Sequence, residues 1–470
     1  MILAGRVAQR QQLLVGAGLG LYAAVVALVP GFTAKAVLAV PLVAIPLFWY
    51  LISSSTAWLS LFFVCALLTP PLPIALGDNG PHAALVLAAA GLFIGLLRLG
   101  EWRFRADALS LSILALWSTF ALSVGLAAMY SGLTIAAGSL ARVLLFGISI
   151  YIFLYTRDGP GGMDSRQAFR MIRVLFFAAT VSALFACVDF YFQFPAPAGY
   201  EPQFVWLESG VFRRAQGVFY EASTLGNLCA FFLEMIAVAL LRPKEAQPFS
   251  RLTLTVGGAA LAAALVLSYS RASIVNLVVA AAVLMWLNRK RIGWARLLAG
   301  VAVFGAGALA ILLSAFPIFA SVAWLRVSAA FQYFSESPNA VLSGRLSSWQ
   351  TLIDFLLAHP WHVLLGVGYK TLPYSDFIGT RAIGDNTYLT LLAETGILGL
   401  VGVIALNAAI LTAAYRSARS SDALRSFCGA WMLCFWAGQV VQMFSADLLT
   451  YWRILPVYFF VLALAARQEA

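Results

Sequence analysis

Charged residues are scarce in this sequence, and their scarcity excludes most soluble folds. Only 10% of the 470 residues are Asp, Glu, Lys or Arg, whereas 62% are hydrophobic. A soluble domain has about a quarter of charged residues and about a half of apolar ones. A soluble core has no use for this much apolar surface, but a lipid bilayer solvates the outward faces of apolar helices. The composition therefore predicts an integral membrane protein.

Cysteine and histidine are also rare, with five and three residues respectively. All the cysteines lie in apolar runs without metal-ligand spacing, which favours small buried side chains over disulfides or metal ligands. The net charge is nevertheless +11. An excess of basic residues is typical of the cytoplasmic loops of membrane proteins, so this charge indicates a lipid bilayer rather than nucleic acid as the partner.

Fourteen apolar segments are candidates for membrane-spanning helices, each of which needs roughly 20 mostly apolar residues. They lie near residues 12–29, 36–52, 57–76, 82–97, 107–127, 139–155, 171–192, 217–241, 252–268, 273–288, 297–314, 386–412, 427–445 and 450–466. The sequence thus predicts one all-α polytopic membrane domain over residues 1–470, with about 14 transmembrane helices.

The positions of the basic residues test this count independently. If the N-terminus is cytoplasmic, every basic segment falls on the cytoplasmic side of fourteen spans, as the positive-inside rule requires. These segments are Arg98–Arg105, Arg157–Arg173, Arg242–Arg251, Arg289–Arg296 and Arg416–Arg425. The agreement supports both the count and the orientation.

This orientation leaves two long loops on the outer side, at about 193–216 and 315–384. Loops longer than about 15 residues are usually functional or disordered, and the aromatic content of the second loop argues against disorder. Apolar residues recur at helical spacing within 345–358, which predicts an amphipathic helix on the outer surface, over a cavity, or simply packed within the loop. Its predicted apolar face comprises Leu346, Trp349, Ile353 and Leu356. His359-Pro360 is expected to end this helix.

Arginine occurs on the outer side, where the positive-inside rule predicts that it should be rare. The outer arginines are Arg213, Arg214, Arg271, Arg326, Arg345, Arg381 and Arg453. A charge at membrane depth must be paired or face water, and the guanidinium fork suits phosphate oxygens. We hypothesise that Arg214 and Arg271 bind a diphosphate. The alternative for them is a structural ion pair with an acid such as Asp189, Glu221 or Glu394. Snorkelling would explain Arg213, Arg326, Arg381 and Arg453.

Four segments resemble the O-antigen ligase and polymerase superfamily. The first, RRAQGVFYEASTLGN, contains Arg214, and the second, LSYSRAS, contains Arg271. The third, SGRLSSWQTLIDFLLAHPWHVLLGVGY, carries Arg345 after a glycine, and the fourth, DNTYLTLLAETGILGL, begins at Asp385. Together the segments cover roughly residues 210–400, and their order and spacing carry the resemblance.

The resemblance implies an all-helical glycosyltransferase of the C type (GT-C) in a bacterial inner membrane, with its active site on the periplasmic side and the second loop as a cap over it. The donor would be an oligosaccharide on undecaprenyl diphosphate, and the acceptor another glycan. Arg214, Arg271 and Arg345 would hold the diphosphate, so neither a metal ion nor a cofactor is expected, because fixed guanidinium groups stabilise the leaving group. A chain-length regulator protein is a candidate partner.

The fourth segment departs from the family pattern. Ligase members usually have histidine before the asparagine, and that histidine is thought to activate the acceptor hydroxyl. Here Asp385 takes its place, and a carboxylate either accepts that proton or caps the following helix. His359 and His362 are further candidates for acceptor-activating or structural roles. Glu394 lies roughly 13 Å deeper along the helix, and we expect it to partner a buried arginine.

Three functions stay open at this point. A polymerase transfers the growing glycan to the next lipid-linked repeat unit, and a ligase transfers it to a lipid A core. The missing histidine favours the polymerase. The alternative from another class is a flippase for lipid-linked oligosaccharides, against which the lack of internal repeats argues.

Overall fold

The computed structural model describes residues 56–72, 81–196, 200–207, 210–242, 249–289, 344–375 and 384–467, together with single residues and short stretches elsewhere. The described residues form a bundle of helices. From residue 56 onward the helices are α1 (Ala57–Leu68), α2 (Ala83–Leu97), α3 (Ala108–Ser131), α4 (Leu133–Arg157), α5 (Ser165–Phe192), α6 (Ala222–Leu240), α7 (Arg251–Leu267), α8 (Arg271–Asn288), α9 (Arg345–Ala358), α10 (Pro360–Leu365), α11 (Thr387–Ala418), α12 (Ala423–Gln442) and α13 (Leu455–Ala465).

Six of the described helices are long and apolar enough to cross a membrane, namely α3, α4, α5, α6, α8 and α11. The helices α1, α2, α7 and α13 are apolar but shorter. The chain is therefore a multi-pass membrane protein, but the predicted count of fourteen spans is not confirmed. The predicted span near 297–314 and most of the span near 36–52 lie outside the described residues.

The centre of the bundle is formed by α6, α12 and α13. Every residue of α13 is buried. Aromatic rings join the three helices, with the centroid of Phe231 4.2 Å from that of Trp431 and 4.5 Å from that of Tyr458. The Trp431 indole also donates a hydrogen bond to the Phe231 carbonyl at 2.7 Å, which satisfies a polar group that burial would otherwise penalise.

Helix α11 is interrupted within its first third by Gly396, which has φ 67° and ψ −165°. The break frees the Glu394 carbonyl oxygen, which accepts a hydrogen bond from Gly368 N–H at 2.7 Å. A Cβ atom at Gly396 would overlap the backbone carbonyl of Leu364. The glycine-containing end of the third motif therefore docks into the break in the fourth.

The amphipathic helix predicted over 345–358 is confirmed as α9, and it ends at His359 as expected. Its buried face differs from the prediction, because Ile353 is exposed. The buried residues are instead Leu352, Phe355 and Leu356. They pack with Val367 and Leu372 in a small separate core. The face of α9 that contacts this loop therefore contains Leu352 and Phe355 instead of Ile353.

The predicted helical fold is confirmed for the described residues, and the first outer loop adds one short β-hairpin to it. Strands β1 (Phe204–Leu207) and β2 (Gly210–Arg213) form a two-stranded antiparallel hairpin with Phe204 opposite Arg213. Directly after β2, Arg214 N–H donates to the Gln203 carbonyl at 2.9 Å. The hairpin therefore fixes the backbone at the first predicted diphosphate-binding arginine.

Candidate active site

A cavity of about 1190 Å³ lies among the ends of the described helices. The starts of α6, α8 and α11, the turn between α7 and α8 and the segments 369–374 and 445–453 form much of its wall. Its described charged residues are the cations Arg142, Arg214, Arg271, Arg345, Lys370 and Arg453 and the acids Glu221, Asp385, Glu394 and Asp447. Six cations thus face four acids, so the cavity is suited to an anionic ligand.

The cavity lies at the opposite end of its helices from the basic segments. Helices α6, α8 and α11 begin at the cavity and end beside Arg242, Arg289 and Arg416. Helices α7 and α12 run the other way, beginning near Arg251 and Arg425 and ending toward the cavity. One end of the bundle therefore carries the cavity, and the other carries the basic residues used to predict the orientation.

A hydrogen bond from its own side chain fixes Arg214 at the wall of the cavity. Its Nε donates a hydrogen bond to the Ser268 carbonyl at 2.8 Å, which leaves the outer fork of the guanidinium group for other contacts. Burial lowers the pKa of Arg214, and the positive charges of Arg345 and Arg271 lower it further. Such repulsion among like charges is relieved when an anion binds between them.

Arg271 is the first residue of α8. Its N-cap, Ser270, makes no side-chain capping bond, because the Ser270 hydroxyl lies 2.8 Å from that of Ser273 instead. Ser270, Arg271 and Ala272 all line the cavity. The uncapped helix start therefore adds backbone N–H groups and the positive end of the helix dipole to the charge of Arg271.

Two of the acids considered as structural partners of Arg271 have other partners. Asp189 pairs with Arg213 at 3.4 Å. Glu221 accepts hydrogen bonds at 2.9 and 2.6 Å from two hydroxyl groups in the first turn of α6. The pairing of Asp189 also gives Arg213 a structural role, apart from its neighbour Arg214.

Arg345 reaches the same cavity from α9. Gly344 precedes it with φ 79°, in the left-handed region that glycine favours. The Arg345 Nε lies 3.3 Å from the Asp385 carboxylate, and the two side chains are 25% and 42% exposed. An ion pair this exposed is weak, so a ligand with stronger negative charge can displace Asp385 from Arg345.

Asp385 is not the cap of the helix that follows. Asn386 takes that place, and its side-chain oxygen accepts hydrogen bonds from Tyr388 and Leu389 N–H at 3.0 and 3.1 Å. The interpretation of Asp385 as a helix cap is therefore wrong. Its carboxylate instead lines the cavity and faces Arg345.

Glu394 is completely buried and also lines the cavity. The charges of Lys370 and Arg142 both act on its carboxylate, so the expected arginine is joined by a lysine that sequence analysis missed. Lys370 forms an ion pair with Asp447 and has φ 57°, a strained conformation for a lysine. Burial lowers the pKa of Lys370, while the charge of Glu394 raises it.

Arg453 does not snorkel to water, contrary to the alternative considered for it. Its guanidinium donates hydrogen bonds to the carbonyls of Ala66, Val218 and Thr69 at 2.9, 2.5 and 2.7 Å. Two of these carbonyls close the end of α1, where backbone acceptors lack helical partners. Burial lowers the pKa of Arg453 to about 10, so it stays charged at neutral pH and ties α1 to the cavity wall.

The structure does not bring His359 and His362 to the cavity lining. His362 is buried, with Nδ1 3.0 Å from the Gly366 carbonyl, and its ring lies 5.3 Å from that of Phe355. His359 Nδ1 lies 3.2 Å from the carbonyl of the same phenylalanine. Both therefore belong to the packing of α9 and α10. Arg326 and Arg381 lie outside the described residues.

Residues 256–404 match the family described as O-antigen ligase, a region that contains the second, third and fourth motifs. No curated protein matches the chain. The family match confirms that the chain resembles the O-antigen ligase and polymerase superfamily.

Proposed function

We propose that this protein is a GT-C glycosyltransferase that joins oligosaccharides carried on polyprenyl diphosphate, acting as a polysaccharide or O-antigen polymerase. One observation supports this most directly. Arg214, Arg271 and Arg345 come from three separate motifs, yet all three line one cavity. An acidic residue, Asp385, lines the same cavity.

The three arginines would bind the diphosphate of the donor. Guanidinium groups donate paired hydrogen bonds to phosphate oxygens, and the uncapped start of α8 adds backbone donors beside them. Binding would also relieve the mutual repulsion of the arginines. Positive charge fixed around the diphosphate stabilises it as a leaving group, so this chemistry calls for no metal ion or cofactor.

Asp385 would act as the general base. In the proposed step, the acceptor hydroxyl oxygen attacks the anomeric carbon, the bond from that carbon to the diphosphate oxygen breaks, and the hydroxyl proton passes to the Asp385 carboxylate. Polyprenyl diphosphate leaves with the bonding electrons, and the configuration at the anomeric carbon inverts. Donor binding would draw Arg345 away from Asp385 and leave the carboxylate free to accept the proton.

The cavity would open on the periplasmic side of the inner membrane. Five of its helices have their other ends at the basic segments, and such segments stay in the cytoplasm. The second outer loop, of which α9 and α10 are described, would cap the site. The total of fourteen spans remains a prediction. A chain-length regulator protein as a partner also remains a prediction.

Among the alternatives, a ligase would use the same donor but transfer the glycan to a lipid A core. Asp385 in place of the ligase histidine favours the polymerase. A flippase would also need a basic cavity, but it would leave the glycan on its carrier. The family match to O-antigen ligase supports transfer over transport.

The test is the product pattern of the purified protein in liposomes that contain the native lipid-linked oligosaccharide. A polymerase produces a ladder of longer lipid-linked glycans and releases undecaprenyl diphosphate, and Arg271→Ala abolishes both. Transfer only to added lipid A core would make the protein a ligase. If the glycan lipid stays unchanged with every acceptor, the proposed function is wrong.

A further inference from the structure

Three buried polar atoms at the cavity have no hydrogen-bond partner among the described residues. They are Thr390 Oγ1 and both carboxylate oxygens of Glu394. Thr390 is 2% exposed and Glu394 is 0% exposed, and both line the cavity. Buried polar groups nearly always have partners, so this concentration of unpartnered atoms at one wall calls for an explanation.

The two residues lie on one face of α11. They are separated by one helical turn, so their side chains are neighbours. A threonine in a helix often donates to the carbonyl four residues earlier, but Thr390 Oγ1 makes no such bond. Gly384 packs directly against this hydroxyl, since a Cβ atom there would overlap it. The local backbone therefore leaves room for the hydroxyl without giving it a partner.

The surroundings of Glu394 supply charge but few hydrogen bonds. Lys370 and Arg142 are its neighbouring cations. The backbone N–H groups of Lys370 and Leu372 approach the carboxylate without the geometry of a hydrogen bond. A carboxylate has about four acceptor positions, and leaving a buried one unused is unfavourable. A ligand that brings hydrogen-bond donors would recover this free energy.

We propose that Thr390 and Glu394 form a subsite for the hydroxyl groups of a sugar ring, an inference that rests on the proposed glycosyltransferase function. The arginines and the Thr390–Glu394 pair, all in the cavity lining, suit chemically different groups. A diphosphate offers only acceptors and suits the arginines. A sugar offers adjacent hydroxyl donors, which suit a carboxylate with two free oxygens. The hydroxyl of Thr390 can accept from a third sugar hydroxyl or donate to the ring oxygen.

The sugar can belong to the donor or to the acceptor, and two measurements separate these sources. The first compares the affinity of the purified protein for native lipid-linked oligosaccharide with its affinity for undecaprenyl diphosphate alone. The second measures the KM for lipid-free glycan, released from the same lipid, as the acceptor in transfer. The variants are Glu394→Gln and Thr390→Val, which keep the shape of each side chain.

We expect each variant to change one of these readouts at least tenfold, about the effect of losing one hydrogen bond to a charged group. A smaller preference for the glycan-bearing lipid assigns the subsite to the donor sugar, and a higher acceptor KM assigns it to the acceptor. Affinity for undecaprenyl diphosphate alone should not change. The subsite does not exist if both readouts stay at wild-type values. It also does not exist if the affinity for undecaprenyl diphosphate alone falls as much as the affinity for the glycan-bearing lipid and the melting temperature falls as well.

Glu234→Gln is the matched control. Glu234 is another buried carboxylate with an unpartnered oxygen, on α6, but it does not line the cavity. It should leave both readouts unchanged. Failure of the proposed function itself would look different, because the wild-type protein would then leave the glycan lipid unchanged with every acceptor.

Discussion

Arg214 and Arg271 are the residues on which the proposed chemistry depends most. Replacing either with alanine should lower kcat/KM by at least about 100-fold, because removing one preorganised donor to a developing anion costs about that much. The loss should appear with the intact donor in a liposome transfer assay. Lysine at either position should recover only part of the activity, since it keeps the charge but not the paired donors.

Arg213, next to Arg214 in the sequence, provides a control for these variants. It pairs with Asp189 and is absent from the described cavity lining. Arg213→Ala should therefore reduce kcat/KM less than about tenfold, the effect of losing a single structural ion pair on positioning. Equal losses at Arg213 and Arg214 would mean that both act through folding, and the diphosphate site would have to be abandoned.

Replacing Asp385 should impair catalysis without weakening the binding of the diphosphate. Asp385→Asn should lower kcat at least about 100-fold if the carboxylate is the base. Affinity for undecaprenyl diphosphate should stay equal or rise, because Arg345 loses the competing charge that lies 3.3 Å away. Transfer rates and equilibrium binding of the same preparation give both quantities.

The control for this variant is Asp354→Asn. Asp354 is exposed on α9 and accepts a hydrogen bond from Gln350 at 2.7 Å, outside the described cavity lining. It should turn over at the wild-type rate. Normal turnover by Asp385→Asn itself would remove the base from the mechanism and leave the arginines as a binding site.

At the residue scale, sequence alone predicted the arginines but not their neighbours. The sequence singles out Arg214, Arg271 and Arg345 because the positive-inside rule predicts few arginines on an outer face. It does not single out Lys370, because the burial of that lysine depends on the docking of one loop into a break in a distant helix. Sequence alone offers Asp385 as one possible cap, whereas the structure has Asn386 in that role, since adjacent polar residues before a helix satisfy the same pattern.

Among the elements, α11 has the least usual geometry, and its break positions Glu394 and Lys370 together. Gly396→Ala should strongly reduce transfer activity and lower the apparent melting temperature by at least about 1–3 °C. An alanine there must adopt φ 67°, at a cost of about 1–3 kcal/mol, and its Cβ would overlap the Leu364 carbonyl. Thermal unfolding in detergent and the liposome assay measure these two effects.

Gly125→Ala tests whether any added methyl group in the bundle has this effect. A Cβ atom at Gly125 has no atom within 4 Å, and alanine favours the helix more than glycine by about 1 kcal/mol. The variant should be as stable as wild type or slightly more so. A Gly396→Ala protein that matched it in stability and activity would show that the break is dispensable.

The elements also show why helix faces are harder to predict than helix bounds. The bounds of α9 follow from local signals, the glycine before Arg345 and the proline after His359. Its buried face depends on which neighbour it meets, and that neighbour is the docked loop around Val367 and Leu372. The β-hairpin before Arg214 carries no alternation strong enough to distinguish it from a loop.

At the scale of the whole molecule, composition predicted a membrane protein correctly, but the count of fourteen spans from apolar length is not confirmed. Helix α13 explains the difficulty. It has 11 residues, all of them buried, so its apolarity serves packing against protein rather than contact with lipid. Apolar helices this short are more often core or re-entrant elements than spans. A hydropathy count treats both uses of apolar residues alike.

The orientation of the molecule yields the last prediction. If basic segments stay in the cytoplasm, the cavity at the other end of the same helices faces outward. Thr450 lies at the exposed edge of the cavity, and Ser421 is exposed between α11 and α12 at the basic end. In intact cells a membrane-impermeant maleimide should label Thr450→Cys, and it should label Ser421→Cys only after the membrane is permeabilised. Wild type provides the background, because its described cysteines are buried or half-buried in the bundle. The reverse pattern would place the arginines in the cytoplasm, where a polymerase of exported glycans has no substrate, and the proposed function would fall with the orientation.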